Sequence, residues 1–172
     1  AGSFSEFSMD ELNMHNLLLR DDEGNTALHW AAAKGILAEV PGHVLTPHNL
    51  LLRNSHRATC LHLAALGGCL GDLPADILTM DNVLDETDTG CTCLHLAAID
   101  GHLVDIPVQF FSHEALNMKN RNGQTPIEVA DAGGHGKKVP SDLRAVAVDP
   151  NASATDKLIK FKESMRAMRW QI

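Results

Sequence analysis

The sequence predicts an all-α protein, a solenoid of short helix pairs stacked repeat on repeat and followed by a separate C-terminal helix. Three observations predict it. Thr26, Thr59, Thr92 and Thr125 stand 33 residues apart. Pro41, Pro74, Pro107 and Pro140 keep the same spacing, each behind an apolar residue, Val40, Leu73, Ile106 or Val139. Glycine closes each unit in phase, at Gly35, Gly68, Gly101 and Gly134. Self-similarity at a fixed period marks a repeat architecture, in which one unit cannot bury its apolar face alone and stacking supplies the core.

The first helix of each unit is expected to run from the threonine to the glycine. The hydroxyl can cap orphan amide groups at the start, and glycine can take the left-handed conformation at the end. Leu28, Leu61, Leu94 and Ile127 recur two residues after the threonine, and the alanine pairs Ala31–Ala32, Ala64–Ala65 and Ala97–Ala98 let neighbours stack closely. A lone Ala130 keeps this register in the last copy. His29, His62 and His95 follow the apolar residue in three copies, and Glu128 replaces them in the fourth.

The second helix is expected to start at each proline, because proline is tolerated at a first helical position and breaks a helix elsewhere. It should be short, ending near Thr46, Thr79 and Ser112, which then cap one further turn anchored by Leu50, Val83 and Leu116. The fourth copy has Gly136, Arg144 and Asp149 where the third has Leu103, Phe111 and Leu116, so its outer face is expected to be polar and to act as a cap. A proline- and asparagine-containing stretch then reads as a linker. Beyond it, Leu158, Phe161, Met165 and Met168 recur at helical steps, with Lys157, Lys160, Lys162, Arg166 and Arg169 on the other sides. That amphipathic helix either docks as a final cap or serves as an arm for a partner or an anionic surface.

The pattern Thr-x-Leu-His-x-Ala-Ala followed by Gly, at this period, resembles the ankyrin repeat. The resemblance covers residues 7–146: an N-terminal half-repeat, in which Asn16 to Arg20 echoes Asn49 to Arg53, and four repeats, the fourth a cap. Residues 147–154 are then the linker and 155–172 the C-terminal helix. The proline-started second helix departs from the common pattern and affects helix lengths. The resemblance implies β-turn fingers between repeats and structural histidines that tie helix starts to neighbouring turns. It also implies a non-enzymatic protein-binding role through finger tips and the concave helix face. Carried over repeat by repeat, the contact positions are Asp22, Glu23, Asn25 and Lys34; Ser55, His56 and Leu66; Asp88, Thr89, Cys91, Ile99 and Asp100; and Arg121, Asn122 and Gln124. Ala33, Ala58, Gly67, Ala132 and Gly133 fill the remaining equivalent positions. Leu66, Ile99 and Cys91 are expected to form a small apolar centre with a polar rim.

Composition fits a globular chain with one sizeable core: 172 residues, 44% hydrophobic and 21% charged. No apolar run approaches the roughly 20 residues that a bilayer span needs. No basic and apolar leader opens the chain, so a cytoplasmic, monomeric protein is the expectation, with a secreted effector as the alternative. Between Arg57 and Lys119 there is no lysine or arginine but there are nine acids, Asp72, Asp76, Asp81, Asp85, Glu86, Asp88, Asp100, Asp105 and Glu114. That balance disfavours direct nucleic-acid binding and favours a basic protein partner. An inhibitor or bacterial effector that masks a nucleic-acid-binding or host protein is the runner-up, and a metal-binding protein or enzyme using the cysteines and histidines is the remote alternative.

Cys60 and Cys93 occupy equivalent places in adjacent units, where helices sit roughly 8–10 Å apart, too far for a bridge or a shared ion. All four cysteines, with Cys69 and Cys91, are therefore expected as free thiols, without metal or other cofactor. No glycine-rich phosphate loop and no serine nucleophile elbow occurs in the sequence, so no catalytic residue is assigned.

Overall fold

The computed structural model describes residues 17–148. Within them the protein is all-α and contains no strand. Eight α-helices lie wholly inside this stretch: α1 (Ala27–Ala33), α2 (Pro47–Leu50), α3 (Cys60–Leu66), α4 (Met80–Val83), α5 (Cys93–Asp100), α6 (His113–Asn117), α7 (Pro126–Ala132) and α8 (Ser141–Val148). None of the described helices is long and apolar enough to cross a membrane. The amphipathic segment 155–172 lies outside the described residues.

Helices α1, α3, α5 and α7 form one layer, each packed on the next. Each begins directly after one of the periodic threonines, whose backbone is extended. The following Leu28, Leu61 and Leu94 are fully buried, and Ile127, in the last repeat, is 8% exposed. Alanines at the contact, Ala32, Ala65 and Ala98, are fully buried as well. Gly35, Gly68, Gly101 and Gly134 end the units with φ between 68° and 80°, the left-handed region that glycine enters without a Cβ penalty.

The second layer differs from expectation. Pro41, Pro74 and Pro107 each stand between two short turns instead of opening an α-helix, whereas Pro140 directly precedes α8 as expected. In the first repeat a 3-10 turn, Leu37–Glu39, leads into extended Val40 and Pro41, and a second 3-10 turn follows over Gly42–Val44. The third repeat repeats this with Leu103–Asp105, Pro107 and Val108–Phe110. After Pro74 only a hydrogen-bonded bend forms. The residue before each proline is held out of the α region, Val40, Leu73, Ile106 and Val139 all having ψ between 118° and 150°, and Pro41 and Pro107 are themselves extended, with ψ 129° and 135°, so the chain breaks there. The chain then needs a new start, and within so few residues it completes one turn.

The further turn follows the expected chemistry. Thr46, Thr79 and Ser112 each accept the backbone N–H of the third helical residue of α2, α4 and α6. Their anchors Leu50, Val83 and Leu116 are fully buried. In the last repeat Pro140 precedes α8, which packs on α6 through buried Leu143 and Val146. Half-buried Arg144 makes a bidentate pair with exposed Asp131, and Asp149 lies outside the described residues. Helix α8 continues through Ala147 and Val148, two residues into the stretch expected as linker.

Candidate interaction surface

A loop precedes each helix of the first layer, at residues 20–25, 53–58, 86–91 and 119–124. Each closes through a backbone pair: Asp21 N–H donates to Asn25 O, Asn54 to Ala58, Thr87 to Cys91 and Asn120 to Gln124. The side chain at the start of each turn accepts backbone N–H groups inside it, through Asp21 Oδ1, Asn54 Oδ1, Thr87 Oγ1 and Asn120 Oδ1. One further backbone bond joins each loop to the next, from Ser55 to Glu23 O (2.9 Å), Asp88 to His56 O (3.0 Å) and Arg121 to Thr89 O (2.9 Å). Arg53 and Asp85 add an ion pair at 2.6 Å between the bases of the second and third loops. The fingers therefore form a row of fixed pitch.

Three of these loops carry glycine at positive φ, Gly24, Gly90 and Gly123, and the second has Arg57 there at φ 60°. A non-glycine residue in this region costs roughly 1 kcal/mol. Arg57 is also exposed, so no packing in the described structure explains its presence.

The histidines fix the loops to the helices. Thr26, Thr59 and Thr92 donate their N–H groups to Nδ1 of His29, His62 and His95, each at 3.2 Å. An acceptor at Nδ1 places the proton of the neutral ring on Nε2. From there His29 donates to Leu52 O at 3.1 Å, His62 to Asp85 O at 2.9 Å and His95 to Gln124 O at 3.1 Å. Burial pushes all three imidazoles below their ordinary pKa, against the pull of the carbonyls. They are neutral bolts between one repeat and the next.

The expected contact residues separate on exposure. Asp22, Glu23, Lys34, Ser55, His56, Thr89, Ile99, Asp100, Arg121 and Asn122 are exposed, while Leu66, Asp88 and Gln124 are half-buried. Asn25 and Cys91 are buried and do not belong to the surface. Asn25 Oδ1 accepts from Asn54 Nδ2 of the next loop, and Asn120 Nδ2 points at Cys91 Sγ, so these side chains join loops and do not face outward. The apolar centre expected at Leu66, Ile99 and Cys91 accordingly loses Cys91.

It gains residues from elsewhere. Trp30 is 50% exposed, and its Nε1–H donates to Asp21 Oδ2 at 2.8 Å, which fixes the indole beside the first finger. Hydrogen bonds from Trp30, Asn25 and Glu23 hold the Asp21 carboxyl below its usual range, although desolvation opposes them. Leu63, Leu96 and Val129 take the place of Trp30 in the next three repeats, all half-buried. Leu66 and Ile99 lie one turn further along the same helices, so an apolar row crosses the first layer. The 33-residue register marks position 30 but not which side of the helix meets solvent.

The acids also divide between two sides. Glu86 and Asp88 belong to the third finger, Asp85 stands at its base and Asp100 ends α5, whereas Asp72, Asp76, Asp81, Asp105 and Glu114 lie in the second layer.

All four cysteines are free and buried. Burial pushes the Cys60 thiol up to about 12 and the Cys69 thiol up to about 11, and it raises Cys93 further. Among the described residues no three His, Cys, Asp or Glu side chains gather to hold a metal ion. The four thiols of the folded protein should react slowly with an aromatic disulfide, and all four should titrate once it is unfolded without reductant. A titre of two would reveal a bridge. No family model matches the chain, and no curated protein matches it significantly.

Proposed function

We propose that the chain is an ankyrin-repeat solenoid whose role is to bind a protein, without catalysis, through its finger row and the adjacent face of α1, α3, α5 and α7. The observation that carries this reading is the apolar row from Trp30 to Val129 beside a rigid row of polar fingers. Trp30 and Ile99 stand 50% and 43% exposed on helices whose other faces are fully packed. Apolar residues in a line with a polar rim form the arrangement that protein interfaces use. The 33-residue register, the Thr–His bolts and the bonded loops support the family assignment.

A basic patch on the partner fits the acids that flank this face at Glu86, Asp88 and Asp100. The test uses the intact chain as bait beside three variants of it. Proteins retained by the wild type should be lost with Ile99→Glu and should associate several-fold more slowly with Asp88→Lys/Asp100→Lys, the difference closing at high salt. Asp76→Lys, in the second layer, should bind normally. Retention that survives the first two changes and fails with Asp76→Lys would place the site on the opposite layer and sink this reading.

A further inference from the structure

The four fingers alternate in charge. In the first, Arg20 stands against Asp21, Asp22 and Glu23, leaving two negative charges. The second carries Arg53 and Arg57 and no acid, the third Glu86 and Asp88 and no base, and the fourth Lys119 and Arg121 and no acid. The Arg53–Asp85 ion pair subtracts from the second finger and leaves Arg57 as its exposed cation, so the order of signs holds. Read from first to fourth the row is negative, positive, negative, positive. Read backwards it is the complement of itself.

The spacing allows that complement to be met. The bonds from Ser55, Asp88 and Arg121 to Glu23, His56 and Thr89 join equivalent atoms one repeat apart, so the fingers are set at equal steps by backbone, not by side chains. Glu23, Arg57, Glu86 and Arg121 are exposed, and Asp88 is half-buried.

We infer that the finger row is a self-association surface that takes a second copy of this chain, antiparallel, about a two-fold axis between the second and third fingers. Under that rotation the first finger meets the partner's fourth and the second meets the partner's third. Glu23 then faces Arg121 of the partner subunit, and Arg57 faces the third-finger acids. Every facing pair is opposite in sign, which is the condition for a closed isologous contact. A parallel arrangement of the two rows, offset by one finger, also matches signs, but it leaves end fingers unmatched and continues into open chains. The surface is polar and its contacts lie at a rim, so the association is expected to be weak and dependent on salt.

The experiment uses the pure intact chain with no other protein present, so its result is independent of the proposed function. Sedimentation equilibrium should show a monomer–dimer equilibrium at low salt. The dissociation constant should rise at least about tenfold between 0.01 M and 1 M salt, over which the screening length falls from about 30 Å to about 3 Å. Glu23→Lys and Arg121→Glu should each weaken the dimer to a similar degree, and the double variant Glu23→Lys/Arg121→Glu should recover it. Recovery is specific to the antiparallel register, because the offset register pairs neither residue with the other. Circular dichroism should be unchanged in all three variants, since both side chains are exposed. A monomer at every concentration in low salt, growth beyond dimer, or a double variant no better than the singles would overturn the inference.

Discussion

Replacing Gly67 with alanine should lower stability by about 2 kcal/mol, the 1–3 kcal/mol typical of overpacking less the fraction regained from a stiffer unfolded chain. Gly67 caps the end of α3 with φ −78°, an ordinary value, so backbone strain is not the cause. The cause is the neighbour. A Cβ at this position would run into the Ala32 carbonyl oxygen and lie 2.8 Å from that of Ala33, both at the end of α1. Those oxygens belong to a packed helix end and cannot swing aside as a long side chain would. Gly71→Ala is the matched control, because a Cβ there meets nothing within 4 Å. Urea unfolding of both variants beside the wild type decides the matter. Equal midpoints would mean that α1 and α3 do not approach as closely as described.

Acidification should destabilise the protein steeply below about pH 6.5, before its carboxylates begin to protonate. His29, His62 and His95 have folded-state pKa values lowered from 6.5 by burial, so the unfolded chain takes up these protons first. Their contribution is present in full above the unfolded value and is lost as pH falls from there toward the folded values. The geometry explains why the folded ring resists a second proton: Nδ1 already accepts an N–H, and a proton there would set two donors against each other. With three such groups the slope can approach about 4 kcal/mol per pH unit. Glu128 and Asp131 are held low mainly by bonds from Thr125 and Arg144, and Asp21 is also held low, so their effects fall in a more acidic range. Urea titrations at pH 7.5 and 5.0, with imidazole titration followed by NMR, would test this. A stability that stays level across that interval, or three histidines titrating near 6.5, would refute it.

Both predictions rest on the seams between repeats, and these were the part of the molecule most legible in the sequence. Thr26, His29 and Gly35 recur as Thr59, His62 and Gly68, and each residue type can do one job at its position: cap, donor-acceptor or left-handed turn. The caps at Thr46, Thr79 and Ser112 were legible for the same reason. The second layer was not, because proline at one position permits either a helix start or a break between turns, and the few residues left before the next cap decide for the break. Exposure was also hidden. Asn25 and Asp22 sit in one loop and look alike as polar residues, yet Asn25 spends its amide and carbonyl on neighbouring side chains and is buried. Trp30 went unmarked because an aromatic residue on a short helix ordinarily faces the core. Its half-exposed ring and its bond to Asp21 show that it turns outward.

The uniform seams have a consequence for how such a gene can change. Cys60 to Ala65 and Cys93 to Ala98 are the same six residues, so excision of residues 60–92 by unequal recombination would rejoin Thr59 to an identical helix start. The shortened product would inherit a complete bolt, cap and turn at its new junction and needs no compensating substitution to stack. Its finger row, however, would read negative, positive, positive. An alternating row is its own complement in reverse only when the number of fingers is even, so the fold can grow or shrink by one unit while pairing of like with like survives only in steps of two.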